Sequence, residues 1–233
     1  MNRGTMVTLV LLPGMDGTGE LFEPVVAAVA QRFSVKVVRY PASKPLGYSE
    51  LESIVRSALP TDGPFVLLGE SFSGPIAIAV AASRPQGLMG LVLCCTFARN
   101  PRPWLGLLGF LIDILPTGPF FVRGVGMALL GRFSTPALRR MLMRAVAEVA
   151  PAVLRARLRS VLAVDATGEL AAVKVPILYL RADADRVVPA KAAELVKSIQ
   201  PETRLVDVDA PHFLLQVAPV RAAELIGEFV DAI

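Results

Sequence analysis

Histidine is almost missing from this chain: His212 is the only one in 233 residues. A metal centre built on several imidazoles is therefore excluded. Cysteine is nearly as scarce. Cys94 and Cys95 stand side by side in an apolar run. That placement offers neither a disulfide framework nor a thiolate zinc site, and it suits a reducing, cytoplasmic compartment. Charged residues make up 19%, below the ~25% of an ordinary soluble chain. Only five of the 24 basic residues are lysines. A long uninterrupted apolar segment is also lacking. The run Met6–Leu12 stops at Pro13-Gly14, too early for a signal peptide, so none is expected. Trp104–Phe121 is broken by Asp113, Pro116 and Pro119, and a membrane span needs about 20 apolar residues. It reads as a buried or lid helix.

What the chain does have is apolar mass. Hydrophobic residues reach 54%, which excludes intrinsic disorder and supplies a sizeable core. The 18 glycines and 19 prolines follow no period, so collagen-like and low-complexity classes are excluded too. The net charge of +4 is uneven. Residues 100–160 carry nine arginines and only two acids, Asp113 and Glu148. Aromatic interleaving and nucleic-acid motifs are missing there, so no nucleic-acid partner is expected. Arg139, Arg140, Arg144, Arg155, Arg157 and Arg159 give either a solvated helix face or a surface for peripheral contact with anionic membrane lipid.

Six short runs rich in Val, Leu and Ile predict strands: Met6–Leu12, Val35–Tyr40, Phe65–Leu68, Leu88–Cys94, Ile177–Leu180 and Arg204–Val208. They show little alternation, as strands covered on both faces do. Helical spacing fills the gaps over Glu20–Gln31, Ser49–Ala58, Ser73–Ala82, Ala190–Ile199 and Ala218–Ile233. Such alternation predicts an α/β fold, a six-stranded, mostly parallel sheet with helices on both faces. It fails once, between Cys95 and Pro176, a stretch too long for a loop. Residues 98–165 are expected to form an inserted helical cap on a core of residues 1–97 and 166–233. Within it, Ser134 is the expected N-cap of a helix bearing Leu138, Leu142, Ala145 and Val149 on one face. A second helix, Pro151–Val164, is expected to bury Leu154, Leu158 and Val161, with Arg155, Arg157 and Arg159 off that face.

The chemistry centres on Gly69-Glu70-Ser71-Phe72-Ser73-Gly74, directly after a strand and directly before a helix. A sharp turn there holds a serine in strained backbone, and small residues at 69 and 73 let neighbouring chain pass close. This is the nucleophile elbow pattern, with Ser73 in its last position.

With that motif the chain is identified as resembling the α/β-hydrolase fold superfamily, in its small serine esterase and lipase-like members. The resemblance covers essentially the whole length. It implies the order nucleophile, acid, histidine. Asp183 and Asp185 both lie in the stretch Arg181–Pro189, which is similar to the family's acid loop. Asp185 is favoured because Pro189 stands four residues on; Ala182 occupies the usual glycine position. Asp209–Leu215 is similar to the histidine loop and carries His212, whose imidazole suits a general base. Leu11–Gly19 resembles the oxyanion loop, with Pro13 where histidine is usual. By resemblance, the backbone N–H groups of Met15 and Phe72 would hold an oxyanion, and Gly14 and Gly17 would let the loop turn. The motifs at Pro13–Gly19 and Gly69–Phe72 also resemble the hydrolase half of plastid phytyl ester synthases, which implies fatty-acyl chemistry.

Larger members carry two strands ahead of the oxyanion loop, and these are expected to be lacking here. The implied activity is hydrolysis of small-molecule carboxylic esters without metal or organic cofactor. Trp104, Leu108, Phe120 and Phe121 are candidates to line an acyl pocket. A thioesterase or acyltransferase could use the same three side chains, and a non-catalytic module binding a hydrophobic ligand is the reading from another class. Because His212 stands alone, the acid limb of activity is expected to report that one group.

Overall fold

A computed structural model of the chain describes residues 6–104, 112, 124, 126 and 129–233. Six strands form one sheet: β1 (Thr8–Leu12), β2 (Ser34–Val37), β3 (Phe65–Glu70), β4 (Leu88–Cys94), β5 (Ile177–Ala182) and β6 (Arg204–Val208). Their order is β2-β1-β3-β4-β5-β6, and every pairing is parallel. Among the described residues there is no antiparallel strand in this sheet.

Alternate residues of the same strand enter opposite cores, which is why the sequence runs show no polar face. Leu9, Leu11, Val66, Leu68, Leu178 and Leu180 pack on one side. There they meet α1 (Glu23–Val29) and α9 (Pro219–Asp231). Val10, Leu12, Phe65, Leu67, Ile177 and Tyr179 pack on the other. That side is covered by α2 (Tyr48–Ser57), α3 (Gly74–Ala82), α6 (Thr167–Ala172) and α7 (Ala190–Ile199). Burying both faces at about 25 cal/mol per Å² of apolar surface is the main favourable contribution to this sheet.

Between β4 and β6 the chain also forms α4 (Pro136–Ala147) and α5 (Pro151–Ala163); a short α8 (Leu214–Val217) follows β6. The stretch holding α4 and α5 leaves and returns at one neck. Arg99 and Asp165 form an antiparallel bridge, Ala166 N donates to Ala98 O at 2.8 Å, and Asn100 N donates to Val164 O at 3.0 Å. Leu142 and Ala145 of α4 join Leu21, Leu130 and Phe213 in a separate apolar cluster beside His212.

Two local expectations are corrected. The N-cap of α4 is Thr135, whose hydroxyl accepts from Leu138 N at 3.2 Å. Pro136 forces the residue before it into extended backbone, so the helix cannot begin one position earlier. The buried face of α5 is Val153, Arg157 and Val161; Leu154 and Leu158 are half-buried. Arg157 turns inward because three backbone carbonyls of the core accept from its two terminal guanidinium nitrogens, although its buried Nε finds no partner among the described residues.

Candidate active site

In a parallel sheet all strands end on the same edge, and four loops meet there. They follow β1, β3, β5 and β6, and bear Met15, Ser71, Asp185 and His212. Ser71 has φ 50°, the left-handed region that a β-substituted residue rarely adopts. The turn places its hydroxyl 2.8 Å from His212 Nε2. His212 Nδ1 is 2.7 Å from Asp185 Oδ2. Both side chains are almost fully buried, at 5% and 6% exposure. The other oxygen of Asp185 accepts from Val187 N at 2.7 Å and Val188 N at 2.9 Å, which fixes the carboxylate in place. Asp183 is exposed, and its backbone N donates to Val208 O. Of the two carboxylates in that loop, Asp185 is the one against the imidazole. A hydroxyl, an imidazole and a carboxylate in this order can take a proton off oxygen and hold the resulting imidazolium.

The small residues of the elbow have visible causes. A Cβ at Gly69 would lie 2.7 Å from Ala77 Cβ and 2.9 Å from Ser73 O. One at Gly74 would collide with the Thr96 hydroxyl. Thr96 Oγ1 donates to Ser71 O, the carbonyl of the peptide whose N–H belongs to Phe72. On the other loop, Gly17 N donates to Gly14 O at 3.1 Å, the carbonyl of the peptide whose N–H belongs to Met15. Each of these two N–H groups thus sits in a peptide plane pinned through its own carbonyl. Gly17 reaches its turn with φ 70°, and Tyr40 N donates to Gly17 O at 2.8 Å. Phe72 is held further by Tyr48, whose ring stacks on it at 4.7 Å and whose hydroxyl donates to Phe72 O at 3.0 Å.

Glu70 and Asp16 occupy variable positions of their motifs, and Gln216 lies outside any motif. Glu70 is buried, and Gln216 Nε2 donates to its Oε1 at 3.0 Å. Burial pushes the Glu70 carboxyl up to about 7; the Gln216 hydrogen bond opposes this, Asp16 adds to it, and His212 opposes it. Asp16 is buried and accepts from Thr18 N and Thr18 Oγ1 at 2.9 and 2.6 Å. Trp104 is 60% exposed. Leu108, Phe120 and Phe121 lie outside the described residues. No three His, Cys, Asp or Glu side chains are gathered as a metal ion requires, among the described residues. No described helix is long and apolar enough to cross a membrane.

A parallel sheet with a left-handed serine after its third strand and an imidazole–carboxylate pair after its last two defines a hydrolase-type α/β protein. The chain belongs to the alpha/beta hydrolase family, whose model matches residues 9–225. It is 32% identical over 140 residues to phytyl ester synthase 1 of Arabidopsis thaliana, an alignment spanning 53% of this chain and 20% of that protein. It is 29% identical over a 245-residue alignment to the pimeloyl-[acyl-carrier protein] methyl ester esterase of Aeromonas hydrophila, spanning 95% and 94%. Among solved structures, a thermophilic esterase from Thermogutta terrifontis superposes with a TM-score of 0.84 at 20% identity, covering 98% of this chain and 91% of that one. Relatives of esterase type support a hydrolase here.

Proposed function

We propose that the protein is a serine hydrolase that cleaves carboxylic esters with apolar acyl groups through an acyl-enzyme. The observation that carries this reading is the line from Ser71 Oγ through His212 to Asp185, with contacts of 2.8 and 2.7 Å, starting from a serine in left-handed backbone. Ser71 Oγ attacks the acyl carbon, and its proton passes to His212 Nε2. Asp185 accepts from Nδ1–H and favours the charged ring. The N–H groups of Met15 and Phe72 receive the oxyanion. His212 then delivers its proton to the leaving alcohol, and water, activated by the same imidazole, releases the acid.

Residues 98–165 act as a cap over a core of residues 1–97 and 166–233, a division supported by the neck at Arg99 and Asp165. Trp104, Leu108, Phe120 and Phe121 supply apolar surface for the acyl chain. Exposed Arg139, Arg140 and Arg144 on α4 give the cap a basic face suited to anionic lipid. Its binding to anionic vesicles should fade as salt rises. Buried, free Cys94 and Cys95 fit a reducing, cytoplasmic setting.

The likeness to a phytyl ester synthase favours a second reading, transfer of the acyl group to an alcohol in place of water. One experiment separates them. p-Nitrophenyl esters of increasing chain length are assayed with and without a long-chain alcohol, before and after a serine-directed phosphonate. Hydrolysis that rises with chain length and is lost on labelling of Ser71 supports the first reading; predominant formation of the new ester supports the second. Ser71→Ala should lower turnover by about 10⁶-fold. Retention of more than a few per cent of the rate would remove Ser71 as nucleophile.

A further inference from the structure

Arg157 is the one buried side chain with a permanent positive charge among the described residues, and the reaction above gives it no task. It lies in the middle of α5 and is 1% exposed. Its Nη1 donates to Met15 O and Asp16 O, each at 2.8 Å, and its Nη2 donates to Pro41 O at 3.1 Å. The guanidinium carbon stands 5.7 Å from the centroid of the Tyr40 ring. Gly17 leaves the room: a Cβ there would lie 2.5 Å from Nη1. The loop that carries the Met15 N–H is thus moulded around a side chain that arrives from the insertion between β4 and β5.

Stability alone is a poor reason for such a residue. A buried guanidinium gives up its water, and a well-packed apolar side chain would often serve at least as well. The surroundings suggest why a charge is kept. Asp16 and Glu70 are both buried beside the elbow. A Cβ placed at Gly14 would lie 3.6 Å from Asp16 Oδ1, 3.8 Å from Glu70 Oε2 and 3.9 Å from Ser71 Cβ. Carboxylates so placed oppose negative charge developing on a substrate oxygen near Ser71. Arg157 is the cation that acts on Asp16. Burial pushes it down from its ordinary value, while Asp16 and Tyr40 hold it up. It stays protonated, as arginine does in proteins.

We propose that Arg157 is a positioning residue that joins cap helix α5 to the oxyanion loop, fixing the Met15 segment in its donor geometry and balancing the Asp16 carboxylate beside it. The inference rests on the serine-hydrolase reading and deepens it: the cap completes the oxyanion hole as well as covering the acyl chain. Arg102 braces the acid loop from the same segment, donating to Arg186 O at 2.8 Å and Val187 O at 3.0 Å, but it carries no contact to the oxyanion loop among those described.

The test compares wild type, Arg157→Met, Arg157→Lys and Ser71→Ala, with folding followed by circular dichroism and urea unfolding. Two quantities are read: steady-state kinetics on p-nitrophenyl butyrate, and Ki for an alkyl trifluoromethyl ketone, whose hemiketal oxygen takes the oxyanion position. In Arg157→Met, kcat should fall about 10–100-fold, less than the ~10²–10³ that follows outright loss of an oxyanion donor. KM should stay within about threefold, because the contact acts on the transition state. Ki should rise by the factor by which kcat/KM falls. Lysine keeps the charge but not the fork, so Arg157→Lys should recover part of the loss. A folded Arg157→Met with wild-type kcat, a loss confined to KM, or an unchanged Ki would overturn the proposal. If the methionine variant does not fold, Arg157→Lys decides: a parallel fall in kcat and rise in Ki supports the role, and wild-type values of both overturn it. An active Ser71→Ala would sink the hydrolase reading together with this inference, whereas a dead Ser71→Ala beside a wild-type-like Arg157 series would sink this inference alone.

Discussion

The Ser73 hydroxyl donates to the Pro13 carbonyl and lies 2.7 Å from the Tyr40 hydroxyl, so the last residue of the elbow is tied directly to the first oxyanion-loop residue beyond β1. All three groups are buried. Ser73→Ala should therefore strand both the Pro13 carbonyl and the Tyr40 hydroxyl, at about 1–3 kcal/mol for each buried polar group left unmade. Tyr40→Phe removes its own hydroxyl and leaves the Ser73–Pro13 bond standing, so it should cost less. Urea unfolding of the two variants gives the order; an equal or larger loss in Tyr40→Phe would show that the network is not arranged this way.

Asp185→Asn should cost far more activity than Asp183→Asn. The motive is the 2.7 Å contact from Asp185 Oδ2 to His212 Nδ1, against an Asp183 side chain in solvent. An amide at the acid position favours the wrong imidazole tautomer, a loss of about 10⁴ in the well-studied serine protease triad. Similar modest losses from both variants would remove Asp185 from its role.

Stability should carry a pH signature from Glu70. Its carboxyl is pushed up from 4.5 to about 7, chiefly by burial. Between those values the folded chain holds a proton that the unfolded chain has released. The contribution of Glu70 to stability is therefore full below about pH 4.5 and is lost as pH rises through about 7. Glu70→Gln keeps an acceptor for Gln216 and removes the ionisation. The difference in unfolding free energy between this variant and wild type should grow in favour of the variant from pH 5 to pH 8. A difference that does not change with pH would mean that Glu70 ionises in the native protein as it does in water.

His212 should be indispensable. Its Nε2 lies 2.8 Å from Ser71 Oγ, and the chain holds no second histidine to take over the proton. His212→Gln should therefore abolish ester hydrolysis while circular dichroism shows an unchanged fold. Substantial turnover in the folded variant would mean that another group serves as the base.

How much of this was legible in the chain follows the range of the interactions. The six strands are local signals, because a strand covered on both faces needs an apolar residue at nearly every position, and Leu88–Cys94 and Arg204–Val208 match their predicted limits. Ser71, Asp185 and His212 could be picked out because each follows such a run within a few residues, and parallel strands bring those ends to one edge. The sheet then sets the separations, spanning 141 residues from Ser71 to His212.

Arg157 shows the opposite case. The sequence predicts its helix yet places its side chain on the outer surface, because helical periodicity groups apolar residues and treats arginine as solvated. Its contacts with Met15 and Asp16 lie 142 and 141 residues away, and no local pattern encodes them. Glu70, Gln216 and Thr96 are of the same kind. A carboxyl reads as a charged surface group until the fold closes over it, and only then does lost hydration raise its pKa and make an amide partner matter. Strand and turn chemistry act over a few residues and are written along the chain. Burial, and the pairing of polar groups that burial enforces, exist only once distant segments pack together.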